Sequence, residues 1–272
     1  MNKLETILVD IDPTVGRDHA VDRALMLAQY SNAKLELFIN NSKPTGTEEA
    51  ILENLQKELT KLQITVDIDF RTEKNLSEAV VAKVLEVNPD LVLKSTHGHD
   101  SLKYTFITNS DWKLIRTCPA PLLMVKPSAW HYNGGVVAAV DPLHPKADQS
   151  NLDHELVSCA EYFEEAFNQV ARVFHCYYPV SDAMHPNNSK LIEELRAVKK
   201  LLSSHNIDPE NVAIVRGDLK TELIDYIKSA SINILVIGAL SRTRIENYIV
   251  GSTAEKILDN APCDILILKP AD

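Results

Sequence analysis

The residues best suited to chemistry in this 272-residue chain lie near its end, where an apolar run stops at Gly238. A polar loop follows, and Gly251, Ser252 and Thr253 then open an amphipathic helical segment. At a helix start the free backbone amides point outwards, and the helix dipole favours negative charge. Glycine permits close backbone approach, while either hydroxyl can cap the helix or donate to a phosphate oxygen. The pattern predicts an anion-binding loop.

The loop between these glycines contains Ser241 and two basic side chains, Arg242 and Arg244. The arginines are the only basic pair beside the loop. They either neutralise a bound phosphate or remain solvated, and the sequence leaves both interpretations open.

The sequence contains none of the common motifs of covalent or metal-dependent catalysis. We find no G-x-S-x-G elbow, P-loop, G-x-G-x-x-G or H-E-x-x-H. His97, His99 and Asp100 follow a predicted strand, but local spacing fixes no complete ligand set, which favours solvated loop histidines. Neither C-x-x-C nor zinc spacing occurs, which predicts reduced, buried thiols at Cys118, Cys159, Cys176 and Cys263. We expect no catalytic residue and no metal site.

Short apolar runs rich in valine, isoleucine and leucine alternate with amphipathic segments of helical length. This alternation predicts β-α units around a parallel sheet. The predicted strands cover residues 6–10, 34–39, 65–70, 90–94 and 121–126, then 136–140, 171–175, 212–216, 232–237 and 264–268. The predicted helices cover residues 21–30, 48–62, 76–86 and 110–116, then 152–167, 190–203, 221–229 and 253–259.

The two halves of the chain repeat this order. ILVDIDP at residues 7–13 matches VVAAVDP at 136–142 with an offset of 129, and residues 90–127 overlay 233–270 without gaps at an offset of 143. Such a long period indicates a duplicated domain. We predict domains at residues 1–128 and 135–272, with a linker at 129–134. The 14 extra residues of the second half are expected near 142–151 or 177–189.

The composition is that of a globular protein, with 45% hydrophobic and 24% charged residues. A net charge of −10 argues against sequence-independent nucleic-acid binding, because an acidic field repels phosphate backbones. No run approaches the roughly 18 apolar residues of a membrane span, and no signal peptide precedes the first predicted strand. We expect a cytoplasmic protein with no membrane span and no nucleic-acid partner.

The loop of the second half resembles the nucleotide loop of universal stress proteins, whose ATP-binding members use G-x2-G-x9-G-(S/T). This chain has Gly238-x2-Ser241-x9-Gly251-Ser252, so serine stands in place of the second glycine. If that position needs a positive φ, serine costs about 1–2 kcal/mol there. The resemblance covers both halves, and residues 97–127 are similar to the tandem subgroup called universal stress protein E.

This resemblance implies that the second domain binds ATP or another adenine nucleotide, with Mg²⁺ accompanying it. In the family pattern, Asp141 would face the adenine or ribose, and the backbone of Cys176 would meet the adenine edge. The glycines and serines of the loop would bring main-chain and hydroxyl groups to the phosphates and ribose. The expected binding residues are Asp141, Cys176, Gly238, Ser241, Arg242, Gly251, Ser252 and Thr253.

The same overlay makes the first half a degenerate copy. Ser95 and Thr108 stand where the second half has glycines, and Asp111 and Trp112 follow where it has alanine and glutamate. A carboxylate and a bulky ring at that place oppose a triphosphate electrostatically and sterically. We expect the first domain to serve structure and not to bind ATP.

Two acidic residues, Asp10 and Asp12, close the first predicted strand. Asp12 overlays Asp141, although an aspartate before Pro13 is equally suited to forming a turn. Lys94 ends an apolar strand, where a charged residue is unusual, and we expect it to pair with one of these carboxylates.

The resemblance implies two tandem α/β domains of the Rossmann-like or flavodoxin-like kind, similar to adenine nucleotide alpha hydrolases. Each would contain five mainly parallel strands with helices on both faces. The strands at 121–126 and 264–268 would pair within the chain as a pseudo-dimer, and a homodimer or other protein partners stay open. We weigh three functions: a non-enzymatic stress-response protein regulated by its nucleotide, a nucleotide-independent interaction scaffold, and an ATP-hydrolysing or adenylyl-transferring enzyme.

Overall fold

The computed structural model of the chain describes residues 3–14, 18–96, 107–144, 151–177, 189–239 and 252–270. These residues form two compact units, of which the first ends at Ala129 and the second begins at Trp130. Over the described ranges, each helix is too short or too polar to cross a membrane.

The described residues of the first unit alternate strands with helices. The strands lie in the order β3-β2-β1-β4-β5, and neighbouring strands are parallel. The strands are β1 (Thr6–Asp10), β2 (Lys34–Asn40), β3 (Val66–Arg71), β4 (Leu91–Ser95) and β5 (Leu122–Val125). The helices are α1 (His19–Ser31), α2 (Glu48–Lys61), α3 (Leu76–Val87) and α4 (Asn109–Thr117).

The second unit repeats this architecture with strand order β8-β7-β6-β9-β10, again with parallel neighbours. The predicted α/β class and the duplication are therefore confirmed. The strands are β6 (Gly135–Ala139), β7 (Val170–Tyr177), β8 (Val212–Arg216), β9 (Ile232–Gly238) and β10 (Asp264–Leu268). The helices are α5 (Leu152–Phe167), α6 (Ser189–Leu202), α7 (Leu219–Ser229) and α8 (Ser252–Asn260).

The strand order determines where a ligand can enter each unit. From its central strand, β1 or β6, the chain moves outwards through two strands and then crosses back to the other side. Right-handed crossovers consequently place the first two helices on one face of the sheet and the last two on the other. Beside the central strand the connections diverge, which opens a crevice at the carboxyl ends of the strands.

Asparagine takes the place of glycine at several helix ends. Asn32, Asn88 and Asn168 adopt left-handed conformations with φ of 59°, 43° and 51°, and each amide closes its helix. Asparagine tolerates this region better than other residues with a side chain. The chain has only 8 glycines in 272 residues, and at these three helix ends asparagine serves in place of glycine.

Strand register locates the extra residues of the second half. Asp10 pairs with Phe38, 28 residues on, whereas Ala139 pairs with Phe174, 35 residues on. The connection between β7 and β8 is longer than that between β2 and β3 as well, because Phe174 pairs with Ala213 and Phe38 with Asp69. The additional length is thus divided between the two connections in which the alternative insertion sites were predicted.

Candidate functional site

The expected binding residues of the second unit follow the carboxyl ends of neighbouring strands. Asp141 comes two residues after β6, Cys176 lies near the end of β7, and Gly238 ends β9. Helix α8 begins at Ser252. Because β6 lies between β7 and β9, these residues share the edge of the sheet where the crevice opens.

Part of the predicted loop lies outside the described residues. Ser241, Arg242, Arg244 and Gly251 fall there, as do Gly98, His97, His99 and Asp100 of the first half. Ser252 and Thr253 are the first two residues of α8, and their side chains are likewise outside the described part.

Gly238 packs closely against a leucine side chain inside the second unit. A Cβ atom at this position would lie 2.4 Å from Cδ2 of Leu152, far inside normal contact distance. Leu152 is the first residue of α5 and is buried. The glycine that ends β9 therefore has an explanation that needs no ligand, and sequence spacing gave no sign of this contact.

Asp153 organises the turn that carries Asp141. Its Oδ1 accepts a hydrogen bond of 3.3 Å from the Asp141 amide, and the Asp141 carbonyl accepts one of 2.9 Å from His144. The side chain of Asp141 itself is exposed. Oδ2 of Asp153 is buried and has no hydrogen-bond partner, and burial raises the pKa of this carboxyl group.

A buried histidine contacts the backbone next to the same turn and is itself paired with a buried glutamate. Nδ1 of His175 lies 2.9 Å from the carbonyl oxygen of Val140, and Nε2 lies 2.9 Å from Oε2 of Glu194. A carbonyl only accepts, so Nδ1 carries a hydrogen, and the second contact needs one further proton between the ring and the carboxyl group. Sequence reasoning missed this pair, although a histidine in the apolar strand ARVFHCY was a visible signal.

Cys176 is not poised as a nucleophile. Its Sγ lies 3.5 Å from the carbonyl oxygen of Gly217. Burial raises the pKa of the thiol, and the carboxylate of Glu222 raises it further. The thiol therefore stays protonated at neutral pH.

The N-terminus of α4, the equivalent helix of the first unit, is capped by the protein's own side chains. Thr108 caps α4, and Oδ2 of Asp111 accepts hydrogen bonds of 2.9 Å from the Thr108 amide and 2.8 Å from its hydroxyl. Asp111 is fully buried. Its carboxylate supplies negative charge where the helix dipole favours an anion. Trp112 follows, with the Arg116 guanidinium 6.0 Å from its ring centre.

A buried ion pair lies in the same crevice of the first unit. Nζ of Lys94 is 2.5 Å from Oδ2 of Asp10, which confirms the predicted pairing of this lysine. Burial alone would lower the pKa of Lys94, but the carboxylates of Asp10 and Asp111 outweigh it and raise the pKa. Asp12 instead accepts from the amide and hydroxyl of Thr14 and forms a turn, one of the two roles expected of it.

Among the described residues, no three histidine, cysteine, aspartate or glutamate side chains come close enough together to hold a metal ion. The crevice of the second unit offers a helix start, which suits an anion, together with strand-end backbone and the unsatisfied Oδ2 of Asp153.

Comparison with known proteins gives a consistent match over almost the whole chain. A model of the universal stress protein family matches residues 3–126 and 145–269. Universal stress protein E of Photorhabdus laumondii is 27% identical over 306 aligned positions, which cover 99% of this chain and 96% of that protein. The protein of the same name in Escherichia coli K12 is 27% identical over 302 positions, covering 99% and 95%.

Solved structures show the same fold. A protein of unknown function from Pseudomonas aeruginosa PAO1 superposes with a TM-score of 0.87 at 24% identity, covering 98% of this chain and 93% of the other. A universal stress protein from Archaeoglobus fulgidus gives a TM-score of 0.73 at 12% identity, covering 98% of both chains. At these identities, the structural likeness establishes the fold.

Proposed function

The chain belongs to the universal stress protein family, and on that premise we propose that its second unit binds an adenine nucleotide at the start of α8. Family membership supports a role in the stress response. In this proposal the nucleotide, accompanied by Mg²⁺, is a regulatory ligand whose occupancy biases binding of protein partners. In this proposal no residue of the chain is assigned a catalytic role.

The difference between the equivalent helices α4 and α8 carries the proposal. In the first unit, Asp111 places a carboxylate at the start of α4 and accepts both Thr108 hydrogen bonds. At an offset of 143, the residue equivalent to Asp111 is Ala254, which has no polar side-chain atom. Position 254 therefore cannot supply an internal anion to α8, and the free amides and dipole of that helix favour an external one.

Each expected binding residue has a role in this proposal. Main-chain groups near Gly238 and Gly251 approach the phosphates closely, and the hydroxyls of the loop and helix start donate to them. Arg242 neutralises phosphate charge. Asp141 and the backbone of Cys176 face the ribose and adenine. The hydroxyl-bearing residues are Ser241, Ser252 and Thr253.

The first unit is proposed to bind no nucleotide. Its helix start is satisfied by Asp111, and the Lys94–Asp10 pair occupies the crevice beside it. A triphosphate would have to displace a buried carboxylate and would leave that charge without its hydrogen bonds. The degenerate copy therefore serves structure.

Titration calorimetry of the full chain with ATP and Mg²⁺ tests this assignment. We expect one site per chain. Ala254→Asp copies the cap of the first unit into α8 and should abolish the binding heat, while Ala254→Ser adds a polar atom without charge and should still bind. Absence of heat and of a thermal shift at millimolar ATP, or equal binding by Ala254→Asp, would contradict the proposal.

One observation favours the second candidate function, a nucleotide-independent interaction scaffold. The Leu152 side chain packs against Gly238, so a residue of the chain itself fills the space beside the end of β9. Under this hypothesis Gly251→Asp keeps the cellular partners of the wild-type chain. Affinity purification of both forms separates the two functions, since loss of all partners by the variant rejects the scaffold.

Two finer expectations complete the proposal. We propose that β5 and β10 pair within the chain, because both are short apolar strands that suit an interior position in a larger sheet. Hydrogen exchange on the full chain should then show slow amides along both strands, and fast exchange along either would oppose the pairing.

We also propose a cytoplasmic location, which cell fractionation tests.

A further inference from the structure

Strand β8 leaves one edge of the second unit's sheet open. Over the described residues it pairs with β7 and with no other strand. The Gly217 amide donates to the Tyr177 carbonyl over 3.2 Å, so every second residue counted back from Gly217 directs its main-chain groups towards β7. The carbonyl of Val212 and both main-chain groups of Ile214 therefore point away from β7. They offer hydrogen bonds to an incoming strand.

The side chains of β8 do little to prevent such pairing. Its sequence VAIVR has one charge, at Arg216, and the other four residues are half-buried. The equivalent edge strand of the first unit, β3, reads VDIDFR and carries three charges. All three are held in ion pairs, of 2.5 Å between Lys34 and Asp67 and of 2.7 Å between Arg71 and Asp69. Charges on an edge strand protect it against pairing with another chain, and β8 has this protection only at its last residue.

Helix α6 adds apolar surface beside the same edge. Glu194, Val198 and Leu201 are buried, and their spacing defines the face of α6 that packs on the sheet. On one side of that face, Lys200 lines a cavity together with residues from the start of α5. Leu195 lies on the other side, away from α5, and is 44% exposed. The partly or fully exposed apolar residues that extend this strip are Leu191, Ile192 and Leu202.

The strip formed by these four apolar residues of α6 lies on the side of the β8 edge. Helix α5 leads from β6 to β7 and α6 leads from β7 to β8, so the side of α6 away from α5 faces outwards past β8. An open strand edge and an exposed apolar strip thus border each other.

From this edge and strip we propose that β8 pairs antiparallel with β8 of a second copy of this chain. The inference goes beyond the proposed function and does not depend on nucleotide binding. A two-fold axis perpendicular to the sheet and centred on Ile214 lets this residue exchange both outward main-chain hydrogen bonds with its copy. The same axis places both copies of α6 on one face. A helix over β7 and β8 then lies about 10 Å from its copy, which is the spacing of packed helices.

The charges around β8 favour a second copy over an unrelated partner. In the register centred on Ile214, Arg216 lies opposite Val212 of the other copy. Glu210 precedes Val212 by two residues and is therefore the diagonal neighbour of Arg216, within reach of long side chains. Both charged residues are exposed. Two-fold symmetry forms this contact twice, so the surface is complementary to itself.

Sedimentation of the full chain without nucleotide tests the proposal. We expect a concentration-dependent equilibrium between monomer and dimer. Leu195→Lys should raise the dissociation constant about tenfold or more, because symmetry removes two leucine side chains from the interface. Leu85→Lys is the matched control, since Leu85 is a 70% exposed leucine on α3 of the first unit. It should leave the dissociation constant unchanged.

A charge exchange tests the register. Arg216→Glu and Glu210→Arg should each raise the dissociation constant about threefold or more, because each places like charges together twice. The double variant exchanges the two charges and should restore the wild-type value. A general loss of structure would not be repaired in this way.

Three results would overturn the proposal, provided that circular dichroism shows the variants to be folded. A wild-type chain that stays monomeric at concentrations approaching millimolar would exclude the second copy as occupant of this edge. A dimer of unchanged strength in Leu195→Lys would place the interface elsewhere. Failure of the double charge variant to recover would show that β8 does not pair with itself in this register.

Discussion

The buried ion pair of the first unit permits a sharp test, because the second unit shows what replaces it. Asp10 is 2% exposed and Lys94 5% exposed, and their charged atoms lie 2.5 Å apart. The overlay that aligns the two halves puts Ala139 at the position of Asp10 and Ile237 at that of Lys94. The second unit thus has apolar residues at the two positions where the first unit has the ion pair.

Lys94→Ile alone removes the ammonium group that pairs with the Asp10 carboxylate and leaves that charge buried. Breaking a buried pair from one side typically costs about 3–5 kcal/mol. Adding Asp10→Ala removes the stranded charge and installs the pair of residues used by the second unit. Replacing a whole buried pair with apolar residues is often neutral or stabilising. We expect the double variant to lie within about 1 kcal/mol of the parent chain.

The two tryptophans allow the first unit to be followed by itself. Trp112 lies in α4 of the first unit, and Trp130 lies in the second. In a Trp130→Phe background, urea unfolding monitored by Trp112 fluorescence reports the first unit for every variant. A loss below about 1 kcal/mol in Lys94→Ile, or a double variant as unstable as the single one, would refute the account of this crevice.

Three further predictions concern single side chains, each read by chemical unfolding. The Glu48 carboxylate accepts from Asn41 and from residues 45–47, and these bonds hold its pKa at about 2. Glu48→Gln should therefore destabilise the chain at pH 7, with the difference closing as the pH falls from 4.5 towards 2; a constant difference would contradict this. Gly238→Ala should lower the free energy of unfolding by about 1–3 kcal/mol, because the added methyl group crowds Leu152. The loss should be much smaller in a Leu152→Ala background. An equal loss in both backgrounds would mean that Leu152 is not the cause. Burial raises the pKa of Asp153, so its ionised carboxylate destabilises the folded chain at pH 7, and Asp153→Asn should increase stability there. The gain should shrink as the pH falls towards 3.8, where the carboxyl group becomes protonated. A loss of stability at pH 7 would contradict this.

The order of elements was predictable from the sequence because it depends on local pattern. Alternating apolar strands and amphipathic helices fix the β-α succession, and the duplicated ILVDIDP and VVAAVDP segments identify the two central strands. Lys94 was predictable as a member of an ion pair because a charge at the end of a buried strand needs a partner.

The polar contacts of the site were not predictable, because they join residues that only the packed register brings together. His175 meets Glu194 across the interface between β7 and α6, and His154 meets His205, 51 residues on. The loop motif assigns Gly238 to ligand approach, and the structure adds a close contact with Leu152 that the motif does not contain. Such contacts depend on side-chain direction and helix placement, which no spacing rule contains.

A crystal structure of the full chain grown with ATP and Mg²⁺ tests the central claim most directly. The account predicts one nucleotide per chain, with its phosphates at the start of α8 and its ribose and adenine beside Asp141 and Cys176. Density at the start of α4, or a second unit without nucleotide at saturating ATP, would contradict it.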